Sequence, residues 1–222
     1  MPVGIPKVAF RIPGNEEATW VDLYNRLHRQ RSLFIGQALN FEVTNTILST
    51  MIFLTLENRT LDQFVFINCP GGLVLCGIGI YDMMRTGPRF AHTIALGKAF
   101  STGSFLLSGG EFSTRLSFPH ARVMVHQPHS SFWIAKAEAY TLDSEEVKLL
   151  RHTFIRLYRA RTGQKRETLI KDMEKRDSFL TPTEAQIHGI VDLVGLDAHI
   201  KALTRARILR LHELYKLHKT KI

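Results

Sequence analysis

An α/β fold with a mainly parallel sheet is what this sequence predicts. Short apolar runs rich in Val, Ile and Phe ("QFVFINC", "FAHTIAL", "ARVMV") alternate with longer stretches of helical periodicity. Each apolar run ends at a glycine, a proline or a cluster of small residues, as strands feeding right-handed crossovers do. There is no internal repeat and no low-complexity segment.

Taken in order, residues 1–18 are punctuated by Pro and Gly and read as irregular. Trp20, Leu23, Tyr24 and Leu27 at helical spacing predict a helix over "ATWVDLYNRLHRQR", followed by a short strand in "SLFIGQAL". "FEVTNTILSTMIFLTLEN" predicts a long amphipathic helix ended by Asn58, then a buried strand runs into Pro70-Gly71-Gly72. "VLCGIGIYDMMRTG" predicts a helix stopped by Gly87-Pro88, "FAHTIALG" a strand, and "SFLLSGG" a helix closed by two glycines. "ARVMVHQP" predicts a strand ending at His126-Gln127-Pro128. Helices are expected over "AEAYTLDSEEVKLLRHTFIRLYRARTG" and "KRETLIKDMEK". In "FLTPTEAQIHG", Thr181 precedes Pro182 and Glu184 stands three residues on, the signature of a capped helix, and "IVDLVG" predicts a last strand.

The 222 residues suffice for one domain, and 45% hydrophobic with 22% charged residues is ordinary for a globular chain. The apolar runs are too short to span a bilayer. Pro and Gly in "MPVGIPKVAFRIPG" occupy the place of a secretory apolar region, so the chain is expected to work where it is made or to be a processed form. Cys69 and Cys76 are too few for a disulfide framework and are expected as free thiols in a reducing compartment; neither has zinc-site spacing. Gly-rich pieces such as "PGGLVLCGIG" lack the Lys-Ser/Thr of a phosphate loop and the dinucleotide spacing, so no cofactor is expected. More than half of the net charge of +9 lies beyond Gly195, where seven basic residues face Asp197 and Glu213. That distribution describes a near-neutral globule with a basic tail rather than a body built around nucleic acid. In the tail, Ile200, Leu203, Ile208, Leu211, Leu214 and Leu217 fit one helical face, suited to an anionic surface, RNA or an acidic partner, or equally to packing on the globule.

Chemistry points to Ser101. The segment "ALGKAFSTGSFLLSGG" places it among small residues between a strand and a helix, where a nucleophile on a sharp turn would sit. Small residues also simply allow close helix packing, and on the local pattern alone that is the commoner case. Two further features fall at strand ends, the rim where ligands collect in open α/β sheets. Gly71-Gly72 leaves backbone N–H groups open to an oxyanion, and His126 ends an apolar strand within reach of a base's role. Spacing does not choose the acid: Asp172, Glu174, Asp177 and Asp192 all qualify.

The blocks "MPVGIPKV", "TWVDLYNRL", "FINCPGG", "IYDMM", "SFPHARVMVHQP" and "TEAQIHGIVDLV", together with the serine segment, occur in order over roughly residues 1–195. In this the chain resembles the Clp protease proteolytic-subunit family (ClpP), and most closely its plastid-encoded members. The resemblance implies a ClpP/crotonase-like α/β fold with a protruding helical handle at about residues 135–162. It implies an axial segment at 1–18, a peptidase domain at 19–195 and a C-terminal extension at 196–222 that the family core lacks. Ser101 is implied as nucleophile, His126 as general base and Asp177, in "KRDSFL", as orienting acid, with the N–H groups of Gly72 and Thr102 as oxyanion donors. The implied partners are an AAA+ unfoldase ring and other ClpP-like or inactive ClpR-like subunits, in heptameric rings stacked as a tetradecamer in the chloroplast stroma. Unfolded polypeptides are the implied substrates, and no cofactor or metal is implied.

The chain departs from the family at several places. Phe100 stands where a small residue is usual, either buried behind the turn or narrowing the substrate groove. Lys98 replaces a neutral residue, Cys69 a serine and Thr102 a methionine. Lys175 stands where an acid usually precedes Arg176, an arginine that in the family pairs across the ring–ring interface. Two other functions compete with a compartmentalised serine peptidase. One is a catalytically weak ring subunit; the other is a crotonase-type acyl-CoA enzyme, which also builds oxyanion holes from turn amides.

Overall fold

The computed structural model describes residues 4–11, 17–87, 90–128, 137–174 and 177–195. Outside them lie residues 1–3 and 12–16 of the expected axial segment, Lys175 and Arg176, the first residues of the expected handle, and the whole extension 196–222.

The chain begins with an antiparallel hairpin, β1 (Lys7–Phe10) and β2 (Thr19–Asp22), which runs directly into α1 (Leu23–Arg29). This corrects two expectations: part of residues 1–18 is a strand, and the predicted helix starts only at Leu23. Trp20 fits helical spacing, but Val21 is paired with Val8 and Trp20 with Ala9, so ladder bonds override the local pattern. The guanidinium groups of Arg26 and Arg29 lie 5.0 and 4.9 Å from the Phe10 ring and tie the hairpin to the helix.

The main body follows as β3 (Ser32–Ile35), α2 (Phe41–Glu57), β4 (Gln63–Cys69), α3 (Val74–Thr86), β5 (Ala91–Phe100) and α4 (Thr102–Gly109). After these come β6 (Leu116–Ser117), β7 (Arg122–Val125), α5 (Ala137–Thr162), α6 (Arg166–Glu174), β8 (Ser178–Leu180), α7 (Pro182–His188) and β9 (Leu193–Val194). Asn40 caps α2 by accepting from the Val43 amide at 2.9 Å, and Asn58 closes that helix. Thr181 and Glu184 form the expected capping box on α7.

Seven strands form one sheet; five of them run in the order β3-β4-β5-β6-β9 with every pairing parallel, and β7 and β8 branch from β5. Strand β5 is long enough to serve two neighbours. Ile94 and Ala95 pair with β6, whereas Lys98, Ala99 and Phe100 pair with β7. Strand β8 adds antiparallel to the outer side of β7, an element the sequence reading did not contain. The expected mainly parallel α/β fold flanked by helices is thus present.

The core is built on α4, all of whose residues are buried. Phe105 stacks between Tyr81 and Phe154, with ring centroids 4.8 and 4.2 Å away. The buried Tyr158 hydroxyl meets Ser104 Oγ at 2.6 Å, and burial pushes that phenol above its ordinary pKa. Buried Arg161 donates to the carbonyls of Ser108 and Gly110, supplying partners to the C-terminus of α4. Helix α5 packs here only through its second half, at Phe154, Ile155 and Tyr158; among the described side chains 138–153 none is buried.

Candidate active site

Ser101 is the hinge between β5 and α4. Its φ of 55° and ψ of −119° are costly for a residue with a side chain, about 1–3 kcal/mol, and the surroundings over-determine them. Its N–H donates to the Met124 carbonyl at 2.8 Å. Its own carbonyl accepts from the amides of Ser104 and Phe105 at 3.0 and 3.1 Å and from Ser104 Oγ at 2.7 Å. The strand enters from the centre of the sheet and the helix leaves into the core, so the hydroxyl stands at the corner.

His126 follows β7 directly, and its Nε2 lies 2.7 Å from Ser101 Oγ. Its Nδ1 lies 3.2 Å from Asp177 Oδ1. A carboxylate accepts only, so the imidazole that satisfies both partners carries its proton on Nδ1 and turns the Nε2 lone pair to the serine hydroxyl. The imidazole is 21% exposed and the carboxylate 54%, so the constellation opens to solvent at its acid end.

The other three candidate acids are engaged elsewhere. Asp172 meets His188 Nε2 at 3.0 Å, and Glu174 meets Arg151 at 2.5 Å. Asp192 receives Arg115 Nη2 on one oxygen and Arg115 Nε on the other, at 2.5 and 2.9 Å. Of the four, Asp177 alone has a carboxylate–imidazole contact with His126 in this geometry.

The Gly71-Gly72 turn presses against the elbow. Both glycines have positive φ, 111° and 146°. A Cβ on Gly71 would lie 2.9 Å from Ser101 Cβ, and one on Gly72 would lie 2.3 Å from the Leu39 carbonyl oxygen. Leu39 pins the turn from the other side, donating to the Gly71 carbonyl at 2.9 Å and accepting from the Leu73 amide at 3.1 Å. The buried Thr102 hydroxyl donates to the Gly72 carbonyl at 3.1 Å, joining the turn to α4. As the first residue of α4, Thr102 has no intrahelical carbonyl behind its N–H, and the positive end of the helix faces the elbow. The buried Cys69 thiol lies 3.3 Å from the Gly71 amide, and burial raises its pKa, as an uncharged thiol requires.

Phe100 is not fully buried behind the turn. It is half-buried on the sheet face away from the core, edge-on to Phe179 at 5.5 Å and 87°. Lys98 is exposed, and its amide donates to Asn68 Oδ1 at 3.2 Å. Sequence reasoning did not find three contributors: Leu39, the Met124 carbonyl and the Thr102 hydroxyl. The first two act through the main chain and leave no side-chain signature, and Thr102 was singled out for its N–H and as a departure from the family, not for its hydroxyl.

A hydroxyl, an imidazole and a carboxylate meet on an α/β rim, beside a glycine turn and a helix N-terminus, a geometry that suits serine-hydrolase chemistry. The chain belongs to the Clp protease family, which it matches along residues 14–197, and that family is one of serine peptidases. It is 56% identical over 195 residues to an ATP-dependent Clp protease proteolytic subunit of Acorus calamus, covering 88% of this chain and 96% of that protein. It is 53% identical over 197 residues to subunits of the same name from Nuphar advena and Platanus occidentalis, covering 89% of this chain and 97% of each.

Proposed function

We propose that this chain is a proteolytic subunit of an ATP-dependent Clp protease, with Ser101, His126 and Asp177 as its triad. The observation that carries the reading is the 2.7 Å contact between Ser101 Oγ and His126 Nε2, on an elbow at the N-terminus of a buried helix. Ser101 Oγ attacks a peptide carbonyl while His126 Nε2 takes the hydroxyl proton. The N–H groups of Gly72 and Thr102 receive the developing oxyanion, a contribution worth about 10²–10³-fold in rate per donor. His126 then gives its proton to the leaving amine, and an acyl-enzyme remains on Ser101. Water, deprotonated by His126, releases the second product. Asp177 holds the Nδ1-protonated tautomer throughout and stabilises the imidazolium.

The chain has no ATP-binding motif, so energy for unfolding substrates comes from a separate AAA+ ring, and the subunit works in stacked heptameric rings with ClpP-like or ClpR-like neighbours. The identity to plant subunits, together with two buried free thiols, supports the chloroplast stroma as its place of work. Residues 1–18 serve as the axial segment, 19–195 as the peptidase domain with α5 as handle, and 196–222 as a basic extension for an anionic partner.

Ser101→Ala tests the assignment. In assembled complexes free of other active subunits, peptide hydrolysis should fall by about 10⁴-fold or more with assembly unchanged. Near-normal hydrolysis by that variant would remove Ser101 from the nucleophile's role.

A further inference from the structure

A row of side chains on the open face of the sheet takes no part in the chemistry above. Ala99, Val123 and Val125 point into the core. Strand alternation therefore places Phe100, Met124 and Phe179 on the opposite face. They are direct partners across three strands: Phe100 pairs with Met124, and Met124 with Phe179. The rings of Phe100 and Phe179 meet edge to face at 5.5 Å, and Met124 between their strands is only 7% exposed although it faces away from the core.

Each member of this row neighbours one residue of the site. Phe100 precedes Ser101, Met124 lies two residues before His126, and Phe179 two residues after Asp177. The middle member is also bonded to the nucleophile, because the Met124 carbonyl accepts the Ser101 N–H. The acid has the least support of the three. Among the described residues it precedes a three-residue strand paired only with β7, and its carboxylate is more than half exposed.

We propose that Phe100 and Phe179 are positioning residues. Their contact across Met124 holds β8 against β5 and β7, and so places the Asp177 carboxylate on His126 Nδ1. The proposal rests on the reading of Ser101, His126 and Asp177 as a triad. Loss of the contact lets the carboxylate drift from the imidazole, and a misplacement of about 1 Å can cost up to about 10²-fold in rate. Such a residue acts through Asp177, so its effect must vanish when Asp177 no longer contributes.

The test is a double-mutant cycle on assembled complexes, read by kcat and KM for a fluorogenic peptide. Phe179→Ala should lower kcat by about 10- to 100-fold with KM nearly unchanged. In an Asp177→Asn background the same change should cost less than about 2-fold. Phe179→Tyr keeps the ring and should retain most of the activity. Phe100→Ala removes the other ring and should show the same dependence on Asp177, which keeps the test decisive if Phe179→Ala does not assemble. An unchanged kcat, an equal loss in both backgrounds, or a loss confined to KM (Phe179 then being a substrate contact) would overturn the proposal. An unmodified complex that hydrolyses no peptide would overturn the triad reading itself, and this inference with it.

Discussion

The two ends of the proposed triad are built differently. Ser101 joins a central strand to a helix buried along its whole length, and its backbone is held by Met124, Ser104 and Phe105. Asp177 directly precedes a three-residue strand paired only with β7 among the described residues, and its side chain is more than half exposed. The geometry of the proposed nucleophile is therefore a property of the core, and disturbing it must show in stability. The geometry of the proposed acid depends on few contacts, so disturbing it should show in rate while the fold persists. Local stability differs across one site, and the less stable part is the one a conformational change in the assembly would move first.

The largest effect expected on the acid side is that of Asp177→Asn. The amide favours the wrong imidazole tautomer and cannot stabilise its cation, so hydrolysis should fall by about 10⁴-fold with an unchanged melting temperature. If Asp172→Asn or Asp192→Asn were the damaging change instead, the acid would be misassigned. On the nucleophile side, Gly77→Ala should act through stability. A Cβ there would lie 2.0 Å from Thr102 Cγ2, so the elbow must shift, at about 1–3 kcal/mol. Denaturant unfolding of the complex checks this, and unchanged stability would break the contrast between the two ends. The smallest effect belongs to Thr181→Ala, which removes the α7 cap and should lower the melting temperature by about 2–4 °C with little change in rate.

That last effect should depend on pH. Glu184 has its carboxyl held below the usual range, first by the Thr181 backbone N–H and then by the Thr181 hydroxyl. A depressed folded-state pKa means the stabilisation is complete above the ordinary carboxylate range and is lost as pH falls through the folded value. The melting difference between Thr181→Ala and the parent chain should therefore shrink in acid, and a difference that grew there would contradict the linkage.

Much of the scaffold was legible because its signals are local. Asn58, Gly87 and the Thr181–Glu184 box mark helix ends through local signals that need no tertiary partner. The hairpin was not, since only the pairing of Val8 with Val21 makes Thr19–Asp22 a strand. Strand β8 is three residues long and abuts the α7 cap, too short for any periodicity to show. The predicted last strand shrinks to Leu193–Val194, and Ile190 and Val191 are buried without joining it. At the site, the serine and the histidine could be singled out by their places at strand ends. The acid could not, because what separates Asp177 from Asp172, Glu174 and Asp192 is whom each of them meets: His126, His188, Arg151 and Arg115. Those partners are distant in sequence or masked by neighbouring charges, so only the resemblance to a family pointed to Asp177.

The most direct measurement is covalent labelling of native assembled complex with a fluorophosphonate probe, followed by peptide mapping. The hydroxyl 2.7 Å from an imidazole nitrogen predicts a single phosphonylated residue on this chain, Ser101, with labelling lost in His126→Ala. Intact rings in which Ser101 stays unlabelled while other subunits react would contradict a catalytic role and make this chain a structural member of the complex.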